Sequence, residues 1–242
     1  MTWRIIHKPV TESTNKDALS GVPGDVFAAD MQMAGRGRLD HKWLSPPGEN
    51  LLMSAVIDVT EDSLHEVVTL PLIAGLAVAK AICKMFSSNG DEPGCAKVKV
   101  KWPNDILVEQ RKICGILCER NGNNIIIGIG INVNQSSFAP EIASRATSLK
   151  LEMGKNHDVE KVRNLVLTSL SDCLSRWKEC GFARLLPELS GFDTLKGRKV
   201  AVFRTDEDKI PVEGLCGGIR PDGMLDVEGE AIPAGEAHIV TR

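Results

Sequence analysis

The stretch from Lys97 to Asn134 constrains the fold more than any other part of the chain. Lys97, Lys99 and Lys101 alternate with Val98, Val100 and Trp102, a period of two that makes a strand with one wet face. Pro103-Asn104-Asp105 breaks it, Ile106 to Glu109 forms the next strand, and Gln110-Arg111 turns the chain again. Lys112 to Glu119 reads as a third strand, Asn121-Gly122-Asn123-Asn124 as a hairpin turn, and Ile125 to Val133 as a strongly apolar fourth strand. The four together make an antiparallel meander. Gly128 and Gly130 fall on one face of the last strand. Glycine weakens a strand interior, so the pair signals close approach by a ligand or neighbouring backbone, or else a bulge or tight packing.

Around this meander the chain alternates strands and helices. Trp3 to Ile6, Val26 to Asp30 and Leu51 to Val59 read as strands. Thr14 with Asp17 resembles a capping box for a short helix ending near Gly21. Ser63 with Glu66 resembles another, for a helix running to about Phe86 with Leu72, Leu76, Ala79 and Cys83 on one face. Pro71 either kinks that helix or marks its first turn. Asp158 caps a long amphipathic helix whose stripe is Val159, Val162, Val166, Leu170, Cys173 and Trp177, and Gly181 stops it. After Pro187 the texture changes. Strand candidates at Lys199–Arg204, Val212–Ile219, Met224–Val227 and His238–Thr241, parted by polar turns, read as a small β module. The expected division is 1–188 and 189–242, within an α+β fold.

Composition excludes several classes. A net charge of −3 argues against a general nucleic-acid footprint. Seven cysteines, an odd number with no Cys-x-x-Cys pair, point to reduced thiols in a cytoplasmic protein, not to a disulfide framework or zinc site. The N-terminus has no apolar core of a signal peptide, and the apolar run Leu70 to Ala79 is too short to span a bilayer, so no membrane is expected.

The chemistry concentrates at Gly35-Arg36-Gly37-Arg38. Glycine lets a backbone close on a ligand, and the alternation leaves both guanidinium forks free to reach one carboxylate or phosphate. A solvated loop fits the same four residues. Further polar stations are Ser13-Thr14-Asn15, which is locally no more than a helix cap, Lys101-Trp102-Pro103-Asn104-Asp105, and Lys112 with Gly115. Gly128-Ile129-Gly130-Ile131-Asn132 is the last.

Together, Gln32-Met33-Ala34-Gly35-Arg36-Gly37-Arg38 with Trp43, Ser45-Pro46-Pro47-Gly48-Glu49-Asn50-Leu51, Lys101 to Asp105, Lys112 to Leu117 and Gly128 to Asn132 resemble the biotin protein ligases, in the family's order and spacing. The resemblance covers almost the whole chain from Ser13 onward. It implies a class II synthetase-like catalytic domain, with a mixed, mainly antiparallel sheet and flanking helices, plus a C-terminal SH3-like β-barrel. It implies activation of biotin by ATP with Mg²⁺ to biotinyl-5′-AMP, then transfer to a lysine of a biotin carboxyl carrier domain. Arg38 and Lys112 are the implied catalytic residues. Ser13, Thr14, Asn15, Gln32, Gly35, Arg36, Gly37 and Gly115 join them around biotin. Arg36, Trp43, Lys101, Asn104, Asp105 and Asn132 join them on the nucleotide side, with metal ligands unassigned. Trp43 equally suits a buried structural role, and Lys101 a solvated strand face. Two alternatives stay open: a lipoate-type ligase of the same superfamily, and a non-enzymatic biotin- or nucleotide-binding regulator. Asp40-His41 stands where the family often has Gly-Arg. Only twelve residues precede Ser13, so no DNA-binding domain and no specific DNA partner are expected. Both monomer and homodimer fit.

Overall fold

The structure is a computed structural model that describes residues 1–38, 41–88, 90, 94–205 and 210–240. Seven strands form a mixed sheet: β1 (Arg4–Thr11), β2 (Asp25–Gln32), β3 (Leu51–Asp58), β4 (Val98–Lys101), β5 (Asp105–Val108), β6 (Arg111–Asn121) and β7 (Asn124–Ile131). Their order is β1-β2-β3-β7-β6-β5-β4. Only the β1–β2 pair is parallel. The expected meander is present as β4 to β7, each pair antiparallel. β1 is longer than its sequence signal and exposes most of its residues, which is why apolar alternation marked only its start.

The helices are α1 (Thr14–Ala18), α2 (Leu70–Ser88), α3 (Gly94–Lys97), α4 (Leu149–Met153), α5 (Val159–Cys180) and α6 (Leu186–Ser190). α2 and α5 pack together and cover one sheet face. Ile125, Ile127, Ile129 and Ile131 of β7 point into that core with Ile73, Leu76 and Trp177. Residues 63–88 are long and apolar enough to cross a membrane, yet most of them are buried inside the fold. They therefore serve as core. Asp158 caps α5 through the N–H groups of Glu160 and Lys161, and Gly181 ends it at positive φ, as the sequence suggested.

A second sheet, β8 (Lys199–Phe203), β9 (Val212–Ile219), β10 (Leu225–Val227), β11 (Glu230–Ile232) and β12 (Glu236–Ile239), runs β11-β10-β9-β8-β12, all antiparallel. β11, only three residues long, was not legible. The segment before β8 and the turn before β10 join the first sheet. Val100 N–H donates to Phe192 O at 2.8 Å and Thr194 N–H to Val100 O at 3.1 Å. Trp102 Nε1 donates to Gly223 O at 3.0 Å.

Three local expectations are corrected. The Thr14–Asp17 capping box does not form, because both side chains bond to other elements: Thr14 donates to Gln32, and Asp17 accepts from Thr11 and Lys8. Nor does the Ser63–Glu66 box. Thr60 and Ser63 cap a 3₁₀ helix over Glu61–Thr69, while Glu66 accepts from Phe182 N–H. α2 starts at Leu70, so Pro71 lies in its first turn, where no N–H partner is lost. Third, the thiols are not all reduced. Cys83 and Cys95 form a disulfide where the end of α2 meets α3, their Cα atoms 4.5 Å apart. Cys114, Cys118, Cys173, Cys180 and Cys216 are free. A twelve-residue separation carries no motif that would have announced the pair.

β1 is pinned to β2 by a fork. Arg4 Nε and Nη2 donate to the two oxygens of Asp25, each at 2.7 Å, across the parallel register. That bond, opposed by burial, holds the Asp25 carboxyl below its usual range. A depressed carboxyl stabilises the fold above its unfolded value of about 3.9, and the contribution fades as pH falls through the lower folded value. Arg4→Met is therefore expected to lower the urea midpoint at neutral pH, with the gap to wild type narrowing below about pH 4. A gap independent of pH would assign Arg4 to packing alone.

Candidate active site

The sheet face opposite the core carries an open cleft. Register explains its floor. Leu52, Gly130 and Gly115 form one cross-strand row and Ser54, Gly128 and Leu117 the next, while the third row, Val56, Ile126 and Glu119, lies beyond the cleft. The glycines leave room for side chains arriving from above. A Cβ on Gly128 would sit 2.1 Å from Asn15 Oδ1, and one on Gly130 would sit 2.7 Å from the Trp43 indole. Close approach, not a bulge, accounts for both.

At one end the cleft is a hydrogen-bonding cage. Ser13 caps α1 by backbone position only; its hydroxyl makes no capping bond. Gln32 Oε1 accepts from Thr14 N–H at 2.8 Å and from the Thr14 hydroxyl at 3.0 Å. Ser54, 0% exposed, reaches Thr14 Oγ1 at 2.7 Å and Asn15 Oδ1 at 2.6 Å. Its single proton serves one of them at a time. The local sequence suggested only a helix cap here, but β3 and β2 turn these side chains into a connected polar wall.

The other end is charged. Lys112 Nζ lies 2.6 Å from Asp105 Oδ1 and 5.9 Å from the Trp43 ring centroid. Its backbone is clamped, with N–H donating to Arg145 O at 2.7 Å and O accepting from Thr147 N–H at 2.9 Å. Arg38 Nη1 donates to Gly235 O at 3.2 Å, and Glu236 lines the cleft beside it. Burial lowers the Arg38 guanidinium and the Lys101 amine from their ordinary values, while Asp105 and Glu236 oppose the shift at both. The solvated-face alternative for three lysines splits: Lys97 pairs with Glu109 and Lys99 reaches Gly191 O, whereas Lys101 turns into the cleft.

The Gly-Arg loop folds back on itself. Trp43 N–H donates to Gly35 O at 2.9 Å and Gly37 N–H to His41 O at 2.6 Å. A Cβ on Gly35 would lie 2.4 Å from Trp43 O, so glycine is required at the base. Leu39 and Asp40 lie outside the described residues, and with them the expectation attached to Asp40; His41 is exposed at the mouth. Trp43 lies across Gly115 and Gly130, its buried indole N–H without an acceptor among the described residues.

Of the residues singled out from sequence, Ser13, Thr14, Asn15, Gln32, Arg36, Gly37, Arg38, Trp43, Lys101, Asn104, Asp105, Lys112 and Gly115 line this cleft. Gly35 and Asn132 do not. Asn132 is buried behind Lys112, its amide donating to Thr147 O at 3.0 Å and so bracing the Lys112 clamp. Asn104 lines the cleft, but its amide is engaged with Ile116 O at 2.8 Å. Sequence reading missed Ser54, Glu119 and Glu236. Strand register could have found the first two. Nothing local signals Glu236.

Residues 8–136 match the model of the biotin/lipoate A/B protein ligase family. The chain belongs to that family. It is 30% identical to the bifunctional ligase/repressor BirA of Escherichia coli over 93% of this chain and 69% of that protein. It is 28% identical to the biotin–[acetyl-CoA-carboxylase] ligase of Paracoccus denitrificans, over 93% of this chain and 96% of that one. Among solved structures, the biotin protein ligase from Aquifex aeolicus in complex with biotin and ATP superposes with a TM-score of 0.85 at 29% identity, over 98% of this chain and 99% of the other.

Adding one methyl at Gly128 is expected to unseat Asn15, with an overpacking cost of about 1–3 kcal/mol. Thermal unfolding of Gly128→Ala checks this. An unchanged midpoint would mean Asn15 has room to move aside.

Proposed function

We propose that this chain is a biotin protein ligase: it joins biotin to AMP at the expense of ATP, then passes the biotinyl group to a lysine of a biotin carboxyl carrier domain. The observation that carries the reading is the layout of the cleft, with a neutral hydrogen-bonding cage at one end and three cations at the other. Ser13, Thr14, Asn15 and Gln32 suit a cyclic urea, which has both N–H donors and a carbonyl acceptor. A lipoate dithiolane offers neither, so the cage favours biotin. Relatives named as biotin ligases, and a structural neighbour from Leishmania major bound to biotinyl-5-AMP (TM-score 0.68, 25% identity), support the same reading.

In the first step a carboxylate oxygen of biotin attacks the α-phosphorus. The new O–P bond forms as the bond to the β-phosphate oxygen breaks, and pyrophosphate leaves. Negative charge accumulates where a carboxylate meets a polyanion, so fixed cations lower the barrier. Lys112, Arg38 and Lys101 supply them, with Arg36 at the mouth. Lys112 is held for this by its clamped backbone and by Asp105. In the second step the acceptor's ε-amine attacks the acyl carbon, AMP leaves, and the amine sheds a proton. Before that the mixed anhydride must be kept from water, a task suited to the loop that folds from Gly35 to Trp43.

Among the described residues no group of three or more His, Cys, Asp or Glu side chains is gathered as a metal site. Asp105 is engaged with Lys112, and Glu236 stands near Arg38 and Lys101. In this reading Mg²⁺ enters with the substrate, on the phosphates of ATP. Residues 1–188 form the catalytic domain in this reading and 189–242 an SH3-like module.

Incubation with Mg·ATP, biotin and a carrier domain should add one biotinyl mass to a carrier lysine, and pyrophosphate exchange should depend on biotin and not on lipoate. Tight biotin binding without exchange would favour a non-catalytic regulator. Lys112→Ala should slow single-turnover adenylate formation by roughly 3–4 kcal/mol of barrier, against ~1 kcal/mol for Ser13→Ala. Equal losses would remove Lys112 from the reacting centre.

A further inference from the structure

Glu119 has no place in the chemistry above, yet its carboxylate touches two residues of the cleft. One oxygen, Oε2, accepts from Asn15 Nδ2 at 2.6 Å and from Arg36 Nη2 at 3.0 Å. Its side chain is 31% exposed, against 52% for Arg36, so the pair bridges the wall of the cage to its mouth. On β6, Glu119 follows Gly115 and Leu117 on the cleft face and pairs with Ile126.

We propose that Glu119 is the positioning residue that fixes the Asn15 amide with its carbonyl oxygen presented to the ligand, making Asn15 an acceptor for a ureido N–H. The proposal rests on the biotin reading of the cleft. The argument is one of donors and acceptors. The amide nitrogen of Asn15 faces Glu119 Oε2 and, at 3.3 Å, Leu117 O. A carboxylate and a backbone carbonyl only accept, so the NH₂ group must lie on that side. Oδ1 is thereby turned the other way, over bare Gly128, with the Ser54 hydroxyl, shared with Thr14, at 2.6 Å. A carbonyl oxygen has a second lone pair, and Asn15 lines the cleft. A flipped amide would set NH₂ against Ser54 and offer the ligand a donor. The charge on Glu119 makes that flip costly, since Oδ1 would then face a carboxylate. The contact to Arg36 places a cation on the same oxygen and holds the carboxylate in position beside Asn15.

The test separates Glu119 from a merely structural residue. Glu119→Ala removes the acceptor; Glu119→Gln keeps an acceptor oxygen and removes the charge. Biotin KM should rise about 10- to 100-fold in Glu119→Ala, the scale of a lost charge-assisted hydrogen bond, and by a smaller factor in Glu119→Gln. The kcat at saturating biotin should stay within about threefold of wild type, because no reacting atom is touched. In an Asn15→Ala background, Glu119→Ala should add no further rise, as expected if one residue acts through the other. Additive effects in that cycle, a biotin KM unchanged in Glu119→Ala, or kcat falling in step with the KM change would overturn the proposal. Thermal midpoints of all variants show whether a loss comes from unfolding, and Glu119→Gln keeps the side-chain volume should Glu119→Ala fold poorly. If wild type itself fails to activate biotin, the function reading fails; if wild type is active and the cycle is additive, only the role of Glu119 fails.

Discussion

At Gly128 and Gly130 the sheet presents bare Cα atoms on the face away from its core, and the cleft depends on that. Asn15 and Trp43 reach their positions only because no Cβ stands there. The odd-numbered isoleucines of β7 meanwhile anchor the same strand in the core under α2 and α5. One strand thus divides its two faces between stability and binding. Period-two geometry makes the division automatic: a shift of one residue in register would put isoleucine into the cleft and glycine into the core. The polar cage rests on the same register, since Ser54 lies directly opposite Gly128.

Charge in the cleft is arranged beforehand. Lys112 is held by Asp105, Arg36 by Glu119, and Arg38 by the Gly235 carbonyl. A cation left unpaired in a half-buried cleft would be desolvated without compensation. Pairing removes that penalty and fixes geometry before a polyanion arrives. These partners must then be weak enough to share. The Arg36–Glu119 pair is exposed, and exposed pairs contribute only about 0–1 kcal/mol, so a phosphate can compete for Arg36 while the Asn15 contact stays.

The meander, the long helices and four of the five C-terminal strands were legible because each carries its own periodicity, cap or turn: alternation in β4, the Asp158 cap of α5, the turn at Gly122. The glycine pair was legible as a signal, and structure alone decided between its alternatives. Reading failed where a side chain's partner lies far along the chain. Thr14 and Asp17 had the spacing of a capping box, but Gln32, Thr11 and Lys8 claimed them. Cys83 and Cys95 meet because α2 and α3 fold back on one another, which no spacing rule encodes. Asn132, on a motif that pointed to nucleotide, ends one layer behind the cleft as a brace for the Lys112 segment.

The boundary proposed at residue 188 separates segments of chain without separating the site. Glu236 lies at the start of β12 and still lines the cleft, with the neighbouring Gly235 carbonyl holding Arg38. That placement depends on the join between the sheets. The Val100 backbone bonds to Phe192 and Thr194, and the Trp102 indole bonds to Gly223. Val100 and Trp102 flank Lys101, whose amine turns into the same cleft. The strand that delivers a cation from the first sheet is therefore also the one bonded to the segment leading into β8 and to the turn between β9 and β10. Any shift of the C-terminal sheet would move an acidic group relative to Arg38 and Lys101 together. The second sheet thus acts as part of the electrostatic wall of the cleft, and its loss would leave Arg38 and Lys101 with Asp105 alone as acidic neighbour.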